Sequence, residues 1–204
     1  MEPLQGTLLA LAPGGGPATV DPGAAWERRM LDERCWVDVA RGWLRGADGL
    51  LVGLVEQVEW QQRRRRMYDR VLDDPRLSRW YGRDAEPPHL ALGSLRAALE
   101  ERYRVPFGGP ALNYYRDGRD SVAPHGDREL NQLDDTLVAI LTLGARRPFL
   151  VRPRGGGRSI DLAPGSGDLL VMGGATQARW EHGVPKVARC GPRVSVSWRW
   201  TSGV

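Results

Sequence analysis

Two segments in the first half of the chain carry apolar residues at helical spacing. In DGLLVGLVEQVEW the apolar positions recur every three or four residues, and they are Leu50, Leu51, Leu54, Val55 and Val58. The segment 90–103, LALGSLRAALEERY, repeats the pattern with Leu92, Leu95, Ala98 and Leu99 on its inward side. This spacing is typical of a helix with one buried face. We therefore expect both helices, and we expect the region from Trp26 to about Tyr68 to be helical in places.

After Pro106 the pattern changes to short β-type runs separated by glycine and proline. These runs are ALNYYRDG, DTLVAILTLG, RPFLVRP, RSIDLAPGSGDLLVMGG and RVSVSWRW. Short strands with frequent turn signals and no intervening helices predict an antiparallel sandwich or jelly roll. Because the helices precede the strands, we expect the helices to cover one flank of the sheets. Residues 1–25 are rich in glycine, proline and alanine without periodicity, which predicts a flexible N-terminal arm.

Composition narrows the class of protein. The chain has 204 residues, of which 41% are hydrophobic and 26% charged, as expected for one globular domain. It has no apolar run near the roughly 18 residues of a membrane span and no basic stretch at its start, so we expect neither a membrane segment nor a signal peptide. Its two cysteines, Cys35 and Cys190, favour a reducing cytoplasm. The net charge of +4 favours an anionic partner, although Lys186 is the only lysine and composition bias accounts for much of the arginine.

The candidate chemistry starts with the three histidines of the chain. In DSVAPHGDREL, His125 and Asp127 are two residues apart, so on one strand both side chains would point to the same face. A third ligand from elsewhere would complete a site of two histidines and one carboxylate. His89 precedes a helix after EPP and is a poor candidate, whereas His182 follows a strand-like run and a Gly-Gly turn. On this pattern alone, the alternative that all three histidines are structural stays open.

The last strand, PRVSVSWRW, alternates strictly between two faces. One face carries Arg193, Ser195, Ser197 and Arg199, and the other carries Val194, Val196, Trp198 and Trp200. The polar face could be a solvated surface. Arg193, however, follows His182 by eleven residues, enough for a turn and a return into an adjacent strand. An arginine held beside a metal would bind a carboxylate through two parallel hydrogen bonds, which suits a dicarboxylate co-substrate.

Over roughly residues 60–200 these blocks together resemble the AlkB-type iron(II)/2-oxoglutarate-dependent dioxygenases. LNYYRDGRDSVAPHGDRE is similar to the family's N-x-Y…H-x-D-x-E block, and GDLLVMGGATQARWEHGVPK is similar to its distal-histidine strand. RVSVSWR is similar to the R-x-N-x-T-x-R ending, with Ser195 and Ser197 in place of asparagine and threonine. The resemblance implies an α+β fold with a mainly β core, which is a double-stranded β-helix (jelly roll) with an N-terminal helical layer and a substrate lid.

The resemblance also implies roles for individual residues. The iron ligands would be His125, Asp127 and His182. The residues holding 2-oxoglutarate would be Asn113, Tyr115, Arg193 and Arg199. Arg193 would pair with the distal carboxylate of 2-oxoglutarate with support from Tyr115, and Arg199 would lie nearer the end that chelates the metal. Glu129 matches the acidic residue that contacts the substrate base, although it could equally be a plain surface charge.

The segment PRLSRWYG, residues 75–82, resembles the nucleotide-recognition lid of the family, and we call it the lid segment. It implies substrate-binding roles for Arg76, Trp80 and Tyr81. The tyrosine-rich stretch that often follows is replaced by RDAEPPHLAL. Upstream, the run Arg63–Arg66 is interleaved with Trp60 and Tyr68, and such arginines and aromatics hold phosphates and unstacked bases. The alternative is that the tryptophans anchor the core and the arginines form a solvated helix face.

Because the lid segment precedes the barrel, we expect Arg76 and Tyr81 to lie away from the iron and the carboxylate clamp. The resulting organisation is an arm over residues 1–25, a helical layer with the lid over 26–105, and the jelly-roll core over 106–204, with the last two forming one structural domain.

The activity implied by the resemblance is oxidative N-dealkylation of a damaged base in DNA or RNA, single-stranded or flipped out of a duplex. Iron(II), 2-oxoglutarate and O₂ would be required, and an aldehyde and the free base would be released. We expect a cytoplasmic monomer. Three alternatives stay open, namely the same chemistry on a protein or small molecule, a nucleic-acid-binding module without turnover, and a zinc hydrolase. The last would leave Arg193 and Arg199 without a role.

Overall fold

The computed structural model describes residues 16–67, 70–127 and 129–202. The part of the predicted flexible arm before Gly16 lies outside the described residues, as does Tyr68. The predicted basic run is described only in part, because the side chains of residues 65–72 are not among those described.

The segment from Thr19 to Arg45 is built from strands, so the region from Trp26 to about Tyr68, predicted to be helical in places, is not helical in its first part. It contains β1 (Thr19–Val20), β2 (Trp26–Met30), β3 (Cys35–Ala40) and β4 (Leu44–Arg45). The reason is visible in β3, CWVDVA, whose side chains are buried or nearly so on both faces because the strand lies inside a sheet. Strands buried on both faces show continuous apolar runs without clear alternation, which periodicity does not separate from helix.

Two helices match the predicted apolar faces, and they are α1 (Ala47–Gln57) and α2 (Ala91–Tyr103). Helix α1 buries Ala47, Leu50, Leu51 and Leu54, and helix α2 buries Leu92, Leu95 and Leu99. These two helices do not make up the predicted N-terminal helical layer, because strands precede α1 and lie between α1 and α2. No helix in the described ranges has both the length and the apolar character needed to cross a bilayer.

The remaining strands, in chain order, are β5 (Arg64–Met67), β6 (Arg70–Asp73), β7 (Leu77–Trp80), β8 (Ala111–Tyr115), β9 (Val122–His125), β10 (Thr136–Gly144), β11 (Leu150–Pro153), β12 (Ile160–Asp161), β13 (Leu169–Gly174), β14 (Trp180–Val184) and β15 (Arg193–Thr201). A seven-stranded major sheet has the order β2-β3-β13-β10-β15-β8-β7, and a four-stranded minor sheet has the order β12-β11-β14-β9. The major sheet thus takes strands from both sides of residue 105. One short helix, α3 (Thr176–Arg179), interrupts the β half, which was predicted to contain none.

Two hydrophobic clusters lie on opposite faces of the major sheet. One cluster joins the sheet to α1 and α2, and it includes Val194, Val196 and Trp198 of β15. The other fills the space between the two sheets, with Val138 and Ile140 of β10 facing Phe149 and Val151 from the minor-sheet side. Two packed antiparallel sheets with helices on one flank are the predicted jelly-roll architecture, which is confirmed. The functional residues lie between the sheets, at the edge of this second cluster.

Candidate active site

The three predicted metal ligands meet at the edge of the minor sheet. His125, Asp127 and His182 each offer a ligand atom, and these atoms all lie within 4.8 Å of one another. His182 lies within β14 directly opposite His125, the last residue of β9. The condition that His125 and Asp127 lie on one strand is not met, because β9 ends at His125 and Asp127 lies in the loop that follows. This loop, rather than strand periodicity, brings the carboxylate to the histidines.

Hydrogen bonding and burial prepare both imidazoles for a metal. The His125 Nδ1 lies 2.9 Å from the backbone oxygen of Ala123, so a proton on Nδ1 leaves Nε2 free as a ligand. His182 is buried and stacks on Phe149, with 5.5 Å between the ring centroids. Burial, followed by the neighbouring His125, lowers the pKa of His182 to about 3. His182 is therefore the neutral imidazole that binds metal ions.

Asp127 is held both at its carboxylate and at its backbone N–H. The Arg199 Nε donates to Oδ2 of Asp127 at 2.7 Å, and the backbone N–H of Asp127 donates to Oε1 of the buried Gln177 at 3.0 Å. Burial alone would raise the pKa of Asp127, but the Arg199 guanidinium and then the two histidines bring that pKa below its usual value. The carboxylate is thus ionised and oriented, as an anionic metal ligand requires.

A cavity extends from the histidines into the space between the sheets. Its empty volume, which includes the solvent-filled space at its open mouth, is about 450 Å³. The polar face of β15 forms one wall, because Arg193, Ser195, Ser197 and Arg199 all line it. The alternative that this face is a solvated surface is therefore wrong, since the face points into the protein.

Arg193 is a buried residue of the cavity lining and has no anionic partner among the residues that the structure describes. Its side chain is 0% exposed, and its Nη2 donates to Oγ1 of Thr142 at 3.1 Å. Its Nε and Nη1 have no hydrogen-bond partner within the described part of the chain. The Tyr115 ring lies beside it, with the ring centroid 5.3 Å from the guanidinium carbon. A buried guanidinium with two free donors is costly unless a carboxylate occupies the space in front of it.

Asn113 and Arg76 form a second polar group on the cavity wall. Arg76 Nε donates to Oδ1 of Asn113 at 2.9 Å, and both residues line the cavity together with Arg193 and His125. The expectation that Arg76 lies away from the metal and the carboxylate clamp is therefore wrong. The reason is strand pairing, because β7 follows Arg76 directly and pairs with β8, which carries Asn113.

The structure separates the two aromatic residues of the lid segment. Trp80 is paired with Ala111 and therefore lies on the same face of the sheet as Asn113, and it is 61% exposed. Tyr81 packs against the cluster on the helix side, and its backbone N–H donates to Pro110 O at 3.0 Å. Trp60 also packs there, with its ring centroid 5.2 Å from that of Tyr114, which favours the core-anchor alternative for this tryptophan.

Glu129 and His89 both lie outside the metal-ligand cluster. Glu129 is exposed in the turn that follows Asp127, and its predicted contact with a base stays a prediction. His89 accepts a hydrogen bond from the backbone N–H of Ala91 at the start of α2. His89 is not part of the metal-ligand cluster, as its sequence context predicted.

Several supporting residues carried no sequence signal of their own. Gln177 and Phe149 orient Asp127 and His182, and the quoted block GGATQARWEH contained Gln177 without marking its role. Arg147 is 1% exposed and donates to the backbone oxygens of Asp117, Asp120 and Pro185. It ties the loop between β8 and β9 to the end of β14. These contacts join segments distant in sequence, so only the folded chain reveals them.

The residues present fit iron(II) and 2-oxoglutarate on two structural grounds. Two imidazoles and one carboxylate on one side of a site are the ligand set of non-haem iron(II) oxygenases, with open positions left for other ligands. The unpartnered donors of Arg193 in the lining of the same cavity suit the second carboxylate of a small dicarboxylate.

Comparisons with known proteins agree with this geometry. Residues 110–199 match the 2OG-Fe(II) oxygenase superfamily. The chain is 35% identical over 177 residues to alpha-ketoglutarate-dependent dioxygenase alkB homolog 3 of Mus musculus, covering 76% of this chain and 62% of the mouse protein. It is 31% identical over 102 residues to DNA oxidative demethylase ALKBH2 of Mus musculus, covering 46% of this chain and 43% of that protein. The chain thus spans less than two thirds of the length of these relatives.

Solved structures support the fold. A prolyl hydroxylase of Trichoplax adhaerens, in complex with a peptide fragment of hypoxia inducible factor, superposes with a TM-score of 0.57 at 12% identity, over 75% of each chain. A 2OG-Fe(II) oxygenase family oxidoreductase of Burkholderia pseudomallei superposes with a TM-score of 0.53 at 17% identity, over 75% of this chain and 78% of that one.

Proposed function

We propose that the chain is an AlkB-type member of the 2OG-Fe(II) oxygenases, to which its sequence is similar, and that it removes N-alkyl groups oxidatively from bases in DNA or RNA. The observation that carries the oxygenase part is the joint geometry of one cavity. Three metal-ligand side chains lie within 4.8 Å of one another at one part of it, and the buried Arg193 lines it with two donors that have no partner among the described residues.

Each cavity residue has a defined task in this proposal. His125 and His182 hold iron(II) through ring nitrogens, and Asp127 holds it through a carboxylate oxygen. Arg193 binds the distal carboxylate of 2-oxoglutarate, and the Tyr115 ring packs beside that guanidinium. Arg199 keeps Asp127 ionised and oriented through its hydrogen bond of 2.7 Å. The buried wall of Val138, Ile140 and Phe149 limits the access of water to the reacting groups.

When bound, iron(II) and 2-oxoglutarate supply O₂-dependent hydroxylation of the N-alkyl carbon, with 2-oxoglutarate oxidised to succinate and CO₂. One oxygen atom of O₂ enters succinate and the other enters the new C–O bond. The N-hydroxyalkyl group then loses its C–N bond, which leaves an aldehyde and a base nitrogen that carries a proton. The role of the chain is to hold the co-substrate and the alkylated base in register.

The proposal of a nucleic-acid substrate is supported by the surface next to the cavity. Trp80 offers an exposed indole on the cavity side of the edge strand β7, where an unpaired base could stack. Arg76 brings a further positive charge to the cavity wall. The relatives named as DNA oxidative demethylases point the same way. Because a base inside a duplex cannot reach a cavity of this kind, we propose a single-stranded or flipped base as the substrate.

The test measures succinate and aldehyde release with iron(II), 2-oxoglutarate and single-stranded or duplex oligonucleotides that carry an N-methylated base. We expect aldehyde release that depends on the methyl group and is faster on single strands. Trp80→Ala should lower kcat/KM for the oligonucleotide about 5- to 150-fold, the equivalent of 1–3 kcal/mol of stacking. Met30→Ala is the matched control, because Met30 is also an exposed apolar residue on an edge strand.

Two outcomes would contradict the proposal in different ways. If 2-oxoglutarate is converted to succinate but every methylated oligonucleotide stays unchanged, the substrate is of another class, such as a protein side chain or a metabolite. If no succinate forms with any substrate in the presence of iron(II), the oxygenase function itself is wrong.

We further propose that the protein acts as a monomer in the cytoplasm. The edge strand β2 carries an ion pair between Glu27 and Arg29, and charges of this kind discourage pairing of sheet edges between molecules. The free thiols of Cys35 and Cys190 support a reducing compartment. Light scattering of the purified protein and fractionation of cells that produce it test the two statements separately.

A further inference from the structure

The orientation of the Asn113 amide is fixed by Arg76. A side-chain amide has an acceptor end and a donor end, and the hydrogen-bond network decides which end faces which partner. Arg76 Nε donates to Oδ1 of Asn113 at 2.9 Å. The acceptor end is therefore engaged by the lid segment, and the donor end, Nδ2, is left for the cavity that Asn113 lines. A donor in that place suits an incoming carboxylate, whereas the flipped amide would present an oxygen and repel it.

Arg76 is itself fixed at the junction of the lid segment and the core. The backbone oxygen of Pro75 accepts a hydrogen bond from the N–H of Ser121 at 2.7 Å. From Arg76 the chain continues into β7, where Ser78 is paired with Asn113 and Trp80 with Ala111. The side chains of Ser78 and Trp80 thus share the face of Asn113, so the strand that would carry a stacked base is also the strand that begins beside the Asn113 amide.

We propose that Arg76 is a positioning residue that turns the donor end of Asn113 toward the co-substrate and thereby couples occupancy of the lid segment to 2-oxoglutarate binding. The coupling part rests on the proposed function, because it needs a nucleic-acid substrate at Trp80. The positioning part does not need it. A base held on Trp80 stabilises β7 in the position in which Arg76 reaches Asn113, so substrate and co-substrate strengthen each other's binding.

Two near-isosteric substitutions separate the hydrogen bond from the charge. In Arg76→Gln the amide nitrogen is as many bonds from the backbone as the arginine Nε, so a donor remains although the charge is lost. In Arg76→Met the same position is taken by a methyl group, so donor and charge are both lost. Arg79→Met is the matched control, because Arg79 also belongs to the lid segment, within β7, but pairs with Glu59 and lies over Tyr81 on the opposite face.

The positioning experiment titrates 2-oxoglutarate into the iron(II)-loaded protein without O₂ and follows binding by calorimetry. We expect Arg76→Met to raise the Kd about tenfold, as loss of one oriented hydrogen bond to a carboxylate would. Arg76→Gln should stay within about threefold of wild type, and Arg79→Met should equal wild type. An unchanged Kd in Arg76→Met overturns the positioning role. Equal losses in both Arg76 variants also overturn it, because charge rather than orientation would then explain the effect.

The coupling experiment repeats the titration with a saturating methylated oligonucleotide, and the reverse titration with saturating 2-oxoglutarate. In wild type both affinities should rise by the same factor, since coupling between two sites is reciprocal. In Arg76→Met that factor should fall to one. A wild-type oligonucleotide affinity that does not respond to 2-oxoglutarate overturns the coupling. If wild type does not bind the oligonucleotide at all, the coupling fails together with the proposed substrate class, while the calorimetric result for Arg76→Met still decides the positioning role.

Discussion

Replacing Arg193 with methionine should stabilise the protein without co-substrate and remove its stabilisation by co-substrate. Arg193 is 0% exposed, and two of its three guanidinium nitrogens lack a partner among the described residues. Burial also lowers the pKa of Arg193, a sign that the charged form is held at a cost. Such a cost is tolerated in a folded protein when the group has a task that needs it.

The size of the effect follows from the contacts of the guanidinium. Methionine keeps most of the packing against Tyr115 and removes the unpaired charge, and replacing buried charged groups by apolar ones is neutral or stabilising by about 1–4 kcal/mol. For a chain of this length each kcal/mol shifts Tm by about 2–4 °C. Arg193→Met should, in contrast, weaken 2-oxoglutarate binding. Each lost hydrogen bond to a charged group costs about 1.5–3 kcal/mol of binding free energy, or roughly 10- to 150-fold in affinity.

The assay is thermal unfolding with iron(II) under argon, with and without 2-oxoglutarate. At a concentration 100 times its Kd, the ligand stabilises wild type by about 2.7 kcal/mol, and the same concentration should barely move Arg193→Met. Arg193→Lys should fall between them, with a raised KM for 2-oxoglutarate, because lysine keeps the charge and loses the two parallel donors. Arg29→Met, at an exposed ion pair with Glu27, is the control. A lower Tm for Arg193→Met with an intact ligand shift would refute the reasoning and make Arg193 a structural residue.

Three further changes test the metal site and the sheets. Asp127→Ala should leave the circular dichroism spectrum intact but weaken metal binding at least tenfold by titration, since it removes the only anionic ligand; wild-type affinity would contradict the triad. Gln177→Leu should cost about 1–3 kcal/mol in chemical unfolding and weaken metal binding, because the Asp127 N–H loses its acceptor; an unchanged metal affinity would show that Gln177 does not orient the ligand. Gly173→Ala should lower Tm, because its Cβ would overlap the Trp36 indole, whereas Gly93→Ala, in an uncrowded helical position, should raise stability by about 0.5–1 kcal/mol; equal effects would contradict this packing.

The parts of the site that the sequence could predict are those whose geometry is local. Strict alternation along RVSVSWRW placed Arg193 and Arg199 on one face, and both line the cavity. The histidine pair was found through the contexts of His125 and His182, and a strand pairing brings them opposite each other. Asp127 lies beside the two histidines, but in a loop rather than on their strand, because spacing alone does not tell a continuing strand from a chain that leaves the strand at glycine.

The parts that could not be predicted depend on which strands become neighbours. CWVDVA has no clear alternation, because β3 is buried on both faces, and its place between β2 and β13 is a property of the whole sheet. The contact of Arg76 with Asn113 joins residues 37 positions apart across the pairing of β7 with β8. The exposure of Trp80 and the packing of Tyr81 followed once that pairing set the faces. Sequence reasoning had given both aromatic residues the same role.

The two histidines and Arg193 lie on different sheets. The Arg193 experiment therefore reports on the contact between the sheets as well as on one residue. His125 and His182 belong to the minor sheet, whereas Arg193 belongs to the major sheet. One link between the two sides at the site is the ion pair of Asp127 with Arg199, at 2.7 Å. A dicarboxylate bound at the metal and at Arg193 would add a second link across the same gap. Co-substrate binding should therefore stiffen the sandwich as a whole, because a ligand that contacts both sheets resists their separation during unfolding.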